Sequence, residues 1–249
     1  MNLFGINPMA ALRQRLGAVL GVFVGAFACC ACGLLTTFVF APGQAIQAGR
    51  IAGMPQMDAA AVAAAPGDVV LLSGVLRDNP PLNPGSTLVA YTEQVWEVTV
   101  TEVEDDRSAR GAWSTPPSTV VPALRLDVAG TPVELQAVNA VRLSGDLLRE
   151  EIVRGPEDAE TATFEGERLP DGSRRYRGLA DGDLVTVLGQ KAAAGGVLPE
   201  QIFAGDRVAF EASQRESTAA LLNMGICSIA MAPVVLIGGL FAVVFWRRR

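Results

Sequence analysis

The chain contains no histidine, and its one lysine is Lys191. Without imidazole, neither a Ser-His nor a Cys-His nucleophile system can be assembled, and no His-ligated metal site exists. A Ser-Lys dyad would need Lys191, which lies in a Gly- and Ala-rich stretch read as an exposed turn after a strand. Acid–base chemistry is then left to carboxylates, and the closest pairs are Glu150-Glu151 and Asp181/Asp183. In Asp181-Gly182-Asp183 the simpler role is a turn ahead of a strand. Glu102, Glu104, Asp105 and Asp106 cluster, but they lack the ligand spacing of an EF-hand loop and are read as a solvated strand end. Ser73-Gly74 is not in a nucleophile-elbow pattern, and Gly195-Gly196 lacks a phosphate-loop context. The basic run Arg174-Arg175-Tyr176-Arg177 is read as a solvated hairpin edge rather than a hold on an anion. No catalytic residue, cofactor site or metal site is expected, and the protein is expected to be no enzyme.

The elements that carry these residues are set by two long apolar segments. Gly17 to Phe40 is 24 residues without a charge, and Ala219 to Trp246 is 28. At about 1.5 Å per residue the shorter spans roughly 36 Å as a helix, enough for a hydrocarbon core of about 30 Å. Residues 1–40 and 217–249 hold no Asp or Glu. Residues 41–216 hold 15 Arg and Lys against all 26 acids, a net of −11. Arg13 and Arg15 precede the first segment, and Arg247, Arg248 and Arg249 follow the second. Basic flanks set orientation, so both termini are expected to be cytoplasmic and the acidic middle extracytoplasmic. The expected organisation is a cytoplasmic N-terminus over 1–16, transmembrane helices over 17–40 and 219–246, an extracytoplasmic domain over 41–218, and a cytoplasmic end at 247–249. Trp246 suits an interfacial anchor.

A cleaved signal peptide is the rival reading of the first segment. Its apolar stretch exceeds the usual length, and Ala41-Pro42-Gly43 is a poor cleavage site. A lipoprotein would need a Leu three residues before Cys29 or Cys30, and none is there. All four cysteines (Cys29, Cys30, Cys32, Cys227) lie in the spans, so the middle domain has none for disulfides. The acid excess argues against nucleic acid as a partner.

Gly17, Gly21, Gly25, Cys29 and Gly33 recur every fourth residue. On a helix this spacing makes a groove that a second backbone can approach closely. The expected partner is the second span, the same span of another copy, or a different protein. Pro233 is expected to bend the second span. Cys32 and Cys227 fall at similar depth; small apolar packing is the favoured reading over a disulfide or a metal site.

Between the spans the chain reads as β. Asp58 is placed to cap a short helix through Ala64, stopped by Pro66-Gly67. Strands are expected over Val69–Leu76, Thr87–Val103, Leu124–Val128 with a return through Val133 and Leu135, and Asp183–Gly189. Residues 105–122 are expected to be an exposed loop. A second hairpin is expected to turn at Pro170-Asp171-Gly172-Ser173, joining Thr161–Glu167 to Arg174–Arg177. Residues 199–216 are expected to include a helix leading into the second span. Strands outnumber helices with no βαβ rhythm, so the fold class is mainly β, a small barrel or sandwich, flanked by two transmembrane helices.

Two stretches carry a family resemblance. The first is Pro66-Gly67-Asp68-Val69-Val70-Leu71-Leu72-Ser73-Gly74-Val75, followed by Pro81-Leu82-Asn83-Pro84 and Val89-Ala90-Tyr91. The second is Gly178-Leu179-Ala180-Asp181-Gly182-Asp183-Leu184-Val185-Thr186-Val187-Leu188-Gly189, with Gln201-Ile202-Phe203 later. In order and spacing these resemble the GIDE-type, or beside-a-membrane, domain, which lies between two transmembrane helices in a mitochondrial ubiquitin ligase and in prokaryotic relatives. That ligase recruits through a Cys- and His-rich RING after its second helix. Here no His occurs, and the last cysteine is Cys227, so ligase activity is not implied.

These readings point to a non-enzymatic two-span membrane protein. Its β domain is expected to serve protein–protein interaction, as a scaffold or an accessory subunit of a membrane complex. The expected partners are the lipid bilayer and other membrane-protein subunits or further copies of the chain. The alternatives are a ligand or lipid sensor with a pocket in the β domain, and a carboxylate-based enzyme.

Overall fold

The computed structural model describes residues 8–55, 68–103, 106–138, 140–193 and 195–245. Asp58 and the helix it was expected to cap, together with Trp246 and the terminal arginines, lie outside them. The chain divides into a helical unit, from residues 1–52 and 211–249, and a β unit over 53–210.

In the helical unit, α1 (Pro8–Leu35) passes without a break through a π-helical turn (Thr36–Phe40) into α2 (Ala41–Gly53). The first helix therefore continues 13 residues beyond the expected end at Phe40. Ala41 donates its N–H to the Thr36 carbonyl, five residues back. The next residue is Pro42, which has no N–H to place, so the ladder changes register where proline would interrupt it anyway. The last helix, α3, runs from Arg207 to Phe245 and passes through Pro233. Both helices are long and apolar enough to cross a membrane, with a mean hydropathy of 2.2 in their most apolar stretches.

The two helices pack antiparallel through glycine. A Cβ on Gly33 would stand 2.7 Å from Ile229 Cγ1 and 2.8 Å from the Gly225 carbonyl oxygen. Gly225 faces Thr37 in the same way, and Gly239 faces Val22. Removing Cβ atoms here lets backbones approach, and dispersion between close surfaces stabilises the pair.

The β unit runs as β1 (Val69–Leu76), β2 (Leu88–Val103), β3 (Asp106–Trp113), β4 (Ser118–Val120), β5 (Leu124–Val128), β6 (Thr131–Leu135), β7 (Arg142–Ser144), β8 (Arg149–Val153), β9 (Thr161–Phe164), β10 (Glu167–Pro170), β11 (Arg174–Ala180), β12 (Leu184–Lys191) and β13 (Val197–Ala204). β1, β5, β6, β13 and β12 form a ring, because β12 pairs with β1 on one edge and with β13 on the other. All neighbours are antiparallel except β6 and β13. Numbered along the chain, the order is 1-2-3-5-4 and back to 1, that of a five-stranded Greek-key barrel of the OB type. Leu72, Leu76, Leu126, Leu135, Val185, Val187 and Ile202 fill its interior. Val70 to Leu72 are all buried, so β1 is covered on both faces and its sequence is a continuous apolar run.

A second sheet, β3-β2-β11-β8, is built from the two long barrel connections. Residues 105–122, expected to be a loop, instead supply β3 and β4. Asp106–Trp113 has little intrinsic β preference, but it pairs with β2 across eight positions. Gly111 admits the Trp96 ring against its backbone, where a Cβ would collide with the indole. The second hairpin is also displaced. β9 and β10 turn at Glu165-Gly166, both left-handed (φ 49° and 89°), and Pro170–Ser173 delivers the chain to β11. β11 lies between β2 and β8, so Arg174–Arg177 is in the middle of a sheet and not at its edge. Residues 199–216 begin as β13 and become helical only at Arg207. Asp206 caps that helix by accepting the Ala209 N–H (2.8 Å), and the buried Phe210 packs on Phe203, ring centres 5.4 Å apart.

The β5–β6 turn, expected at Gly130-Thr131, centres on Ala129 (φ 52°) and Gly130 (φ 86°), both left-handed as a tight hairpin requires. Alanine is strained there. Ala129→Asn is expected to raise stability by about 1 kcal/mol in denaturant or thermal melts of the detergent-solubilised protein.

Candidate functional site

The carboxylate pairs do not converge. Glu150 and Glu151 are adjacent on β8 and leave by opposite faces. Glu150 meets Arg177 at 3.4 Å, whereas Glu151 accepts from the Thr87 N–H (3.2 Å) and hydroxyl (3.1 Å). Asp181 and Asp183 hold a turn at Gly182 (φ 90°). Asp183 accepts the Ala180 N–H at 2.7 Å and pairs with Arg149 at 2.6 Å. Glu104 and Asp105 lie outside the described residues, and among the described ones no group of acids, Cys or His could hold a metal.

Lys191 is 9 % exposed and sits on β12, not in an exposed turn. Ser73 lies opposite Thr186 in the β1–β12 ladder, and Thr186 is five residues along β12 from Lys191. Its hydroxyl is 2.9 Å from that of Thr186, which donates to the Gly205 carbonyl. Gly195 and Gly196 (φ 95° and 76°) turn the chain between β12 and β13. Of the basic run, Arg174 meets Glu93 (2.7 Å), Arg177 meets Glu150, and Arg175 donates to Gln94 (2.6 Å) while lying 4.6 Å above the Trp113 ring. All three arginines are used within the sheet.

The glycine row divides. Gly33 is in the seam with the second span. Gly17, Gly21 and Gly25 have no heavy atom within 4 Å of a Cβ position, and Cys29 is half-buried. All four cysteines are free, with Cys32 and Cys227 exposed.

The residue that sequence reasoning missed is Asn79. It is 7 % exposed and ties three segments together. Its Nδ2 donates to the carbonyls of Arg77 (3.1 Å) and Arg125 (3.0 Å) and to Asp181 Oδ1 (3.1 Å). Its Oδ1 accepts the Arg125 N–H (2.7 Å), and its own N–H reaches Asp181 Oδ1 (3.0 Å). The signal available was Asp78-Asn79-Pro80, residues that favour turns; Asp78 is left-handed, with φ 60°. Beside this knot a cleft of about 540 Å³ is lined by Asp78, Pro80, Leu124, Arg125, Pro132 and Glu134. Another, of about 380 Å³, is lined by Ile152, Arg154, Phe164, Glu165, Glu167 and Leu169. The latter adjoins a small core of Trp96, Trp113, Phe164 and Leu169.

Two charged groups on β8 depart from their ordinary behaviour. Burial alone would push the Glu151 carboxyl up. Hydrogen bonds from Ser86 and Thr87, with the charge of Arg149, overcome this and hold it below the usual glutamate value. The hydrogen bond to Asp183, then its charge, raises Arg149.

No protein family, curated protein or solved structure matches the chain.

Asn79→Ala leaves the Arg125 N–H without its acceptor and takes the amide donor from Asp181 and the Arg77 carbonyl, and is expected to cost roughly 1–3 kcal/mol in thermal or denaturant melts. For Glu151 the folded carboxyl titrates below the unfolded one. Its stabilisation is therefore complete above the unfolded value of about 4.3 and is lost as pH falls through the lower folded value. Glu151→Gln should accordingly be less stable than wild type at neutral pH, with the difference closing on acidification.

Proposed function

We propose that this is a two-span membrane protein without catalytic activity, whose β unit lies on the extracytoplasmic side and docks other proteins as a scaffold or accessory subunit of a membrane complex. The observation that carries the reading is the helical unit. Two apolar helices are packed on each other, and the large side chains left outside that seam, such as Phe23, Phe27, Phe38, Ile237 and Phe241, are exposed. A surface of that kind needs lipid or protein around it. The seam takes Gly33 but leaves Gly17, Gly21 and Gly25 open, which supports a second helix on the far face of α1. The basic flanks support a cytoplasmic location for both termini. In the β unit, the paired carboxylates Glu150/Glu151 and Asp181/Asp183 are each bonded to arginines, hydroxyls or backbone rather than to one another, which supports a docking role over a reaction centre.

Gentle detergent extraction followed by native gels is expected to show the wild type in an assembly, and Gly21→Leu is expected to shift it to a smaller species. A lone wild-type monomer would overturn the reading. Protease added outside spheroplasts is expected to digest the β unit; digestion only in inverted vesicles would reverse the orientation.

A further inference from the structure

Four buried side-chain polar atoms find no hydrogen-bond partner among the described residues, and three of them lie together in the β unit: Nε1 of Trp96, Nε1 of Trp113 and Nε of Arg175. Trp96 is 3 % exposed. The Trp96 and Trp113 rings are 5.0 Å apart, and Arg175 Cζ stands 4.6 Å from the centre of the Trp113 ring and 5.8 Å from that of Phe164. All three atoms are N–H donors. A buried donor without an acceptor is costly, and a guanidinium without a counterion more so.

Strand pairing places these groups on one face of the second sheet. Arg175 stands opposite Gln94 on one side and Ile152 on the other, while Trp96, two residues on from Gln94, stands opposite Trp113. Ile152 belongs to β8, the open edge strand of that sheet. It also lines the 380 Å³ groove, together with Phe164 and Leu169. The groove thus opens at the sheet edge, one strand away from Arg175. Its inner wall, Phe164 and Leu169, belongs to the small core that holds Trp96 and Trp113.

The chain supplies Arg175 with no carboxylate among the described residues. Its Nη2 bonds the neutral Gln94 (2.6 Å). Glu150, the acid on the same face of β8, is held by Arg177 (3.4 Å), and Glu167 is held by Arg154 (3.7 Å). A water would satisfy a donor but leave the charge of Arg175 unopposed. A carboxylate has two oxygens with about four lone-pair sites, enough for three donors, and it balances the charge. The groove offers an apolar wall for whatever carries that carboxylate, and its volume lies at the small end of ligand pockets. Glu165 and Glu167 at the rim count against a more highly charged phosphate.

We propose that the groove beside β8 and the donors behind it bind a small apolar monocarboxylate, with its chain against Ile152, Phe164 and Leu169 and its carboxylate on Arg175 and the two indoles. This goes beyond the docking reading and does not depend on it.

The test follows indole N–H signals by NMR in the full chain, in non-ionic detergent, with isotope-labelled tryptophan. The chain has three tryptophans, and Trp246, outside the β unit, is the internal reference. Trp113→Phe and Trp246→Phe assign the signals. Hexanoate is expected to bind saturably and to move the Trp96 and Trp113 signals downfield while Trp246 stays in place. Acetate, which lacks the methylenes, should bind at least tenfold more weakly, and hexanol and inorganic phosphate should move neither signal. Arg175→Gln should weaken hexanoate at least tenfold. Ile152→Asp, which sets a carboxylate of the chain opposite Arg175, should abolish binding while leaving the protein as stable as wild type, and it decides the matter if Arg175→Gln does not fold. Indole signals that stay in place under hexanoate overturn the proposal and leave solvent as the occupant of the cluster. So does movement of the same signals by hexanol or phosphate, acetate binding as tightly as hexanoate, or undiminished binding to Ile152→Asp.

Discussion

Strand β12 holds the β unit together, because it is hydrogen-bonded along both edges and closes the barrel. Seven of its residues pair with β1, and it pairs with β13 from Val185 to Lys191. The parallel contact in the ring, between β6 and β13, is slender, with Val197 opposite Leu135. Closure therefore depends on an apolar strand buried on both faces, for which no other position in the sheet would be favourable. It also explains the second sheet. The barrel places β1 beside β5 and β12 beside β1, so the long chain segments between these strands must leave the ring and return. Each pairs with the other, β2 with β11, and so satisfies its own backbone.

The two sheets share apolar contacts where they meet. Val89, Ala90 and Leu179, from the roots of β2 and β11, belong to the same core as Leu72 and Val187. Gly178 sits at this junction, where a Cβ would run into the Ala90 carbonyl. The polar counterpart is Asn79 with Asp181. An apolar residue at 79 would leave the Arg125 N–H without its acceptor and take the amide donor from the Arg77 carbonyl, so the amide is retained for what it satisfies. Ion pairs such as Arg174–Glu93 and Arg177–Glu150 lie on the solvated part of the second sheet. Pairs of that kind contribute little stability each. Their consequence is that they occupy the arginines of β11 and the acids that face them.

In the helical unit, glycine has two uses. At Gly33, Gly225 and Gly239 it brings one helix against the other within this chain. At Gly17, Gly21 and Gly25 the same spacing faces away from the seam, although periodicity alone treats all the positions as one row. Which face a helix turns to its neighbour depends on the neighbour's own small residues, and these sit in α3, about 200 residues away.

The sequence by itself determined the apolar helices, the acid-rich β unit between them, the strands Val69–Leu76 and Leu88–Val103, and the β5–β6 hairpin. These are set by local composition and by a period of two or by unbroken apolar length, which short-range physics can express. The tertiary structure decided the rest. It made strands of Asp106–Trp113, where cross-strand bonds to β2 override weak propensity. It moved the hairpin turn to Glu165-Gly166, because pairing partners and not turn residues selected it. It placed Arg174–Arg177 in a sheet interior and buried Lys191. It assembled the Asn79 knot and the open β8 edge from segments that no local pattern links. Each of these outcomes is a pairing between distant segments, and a linear pattern holds no record of which distant strand will lie alongside.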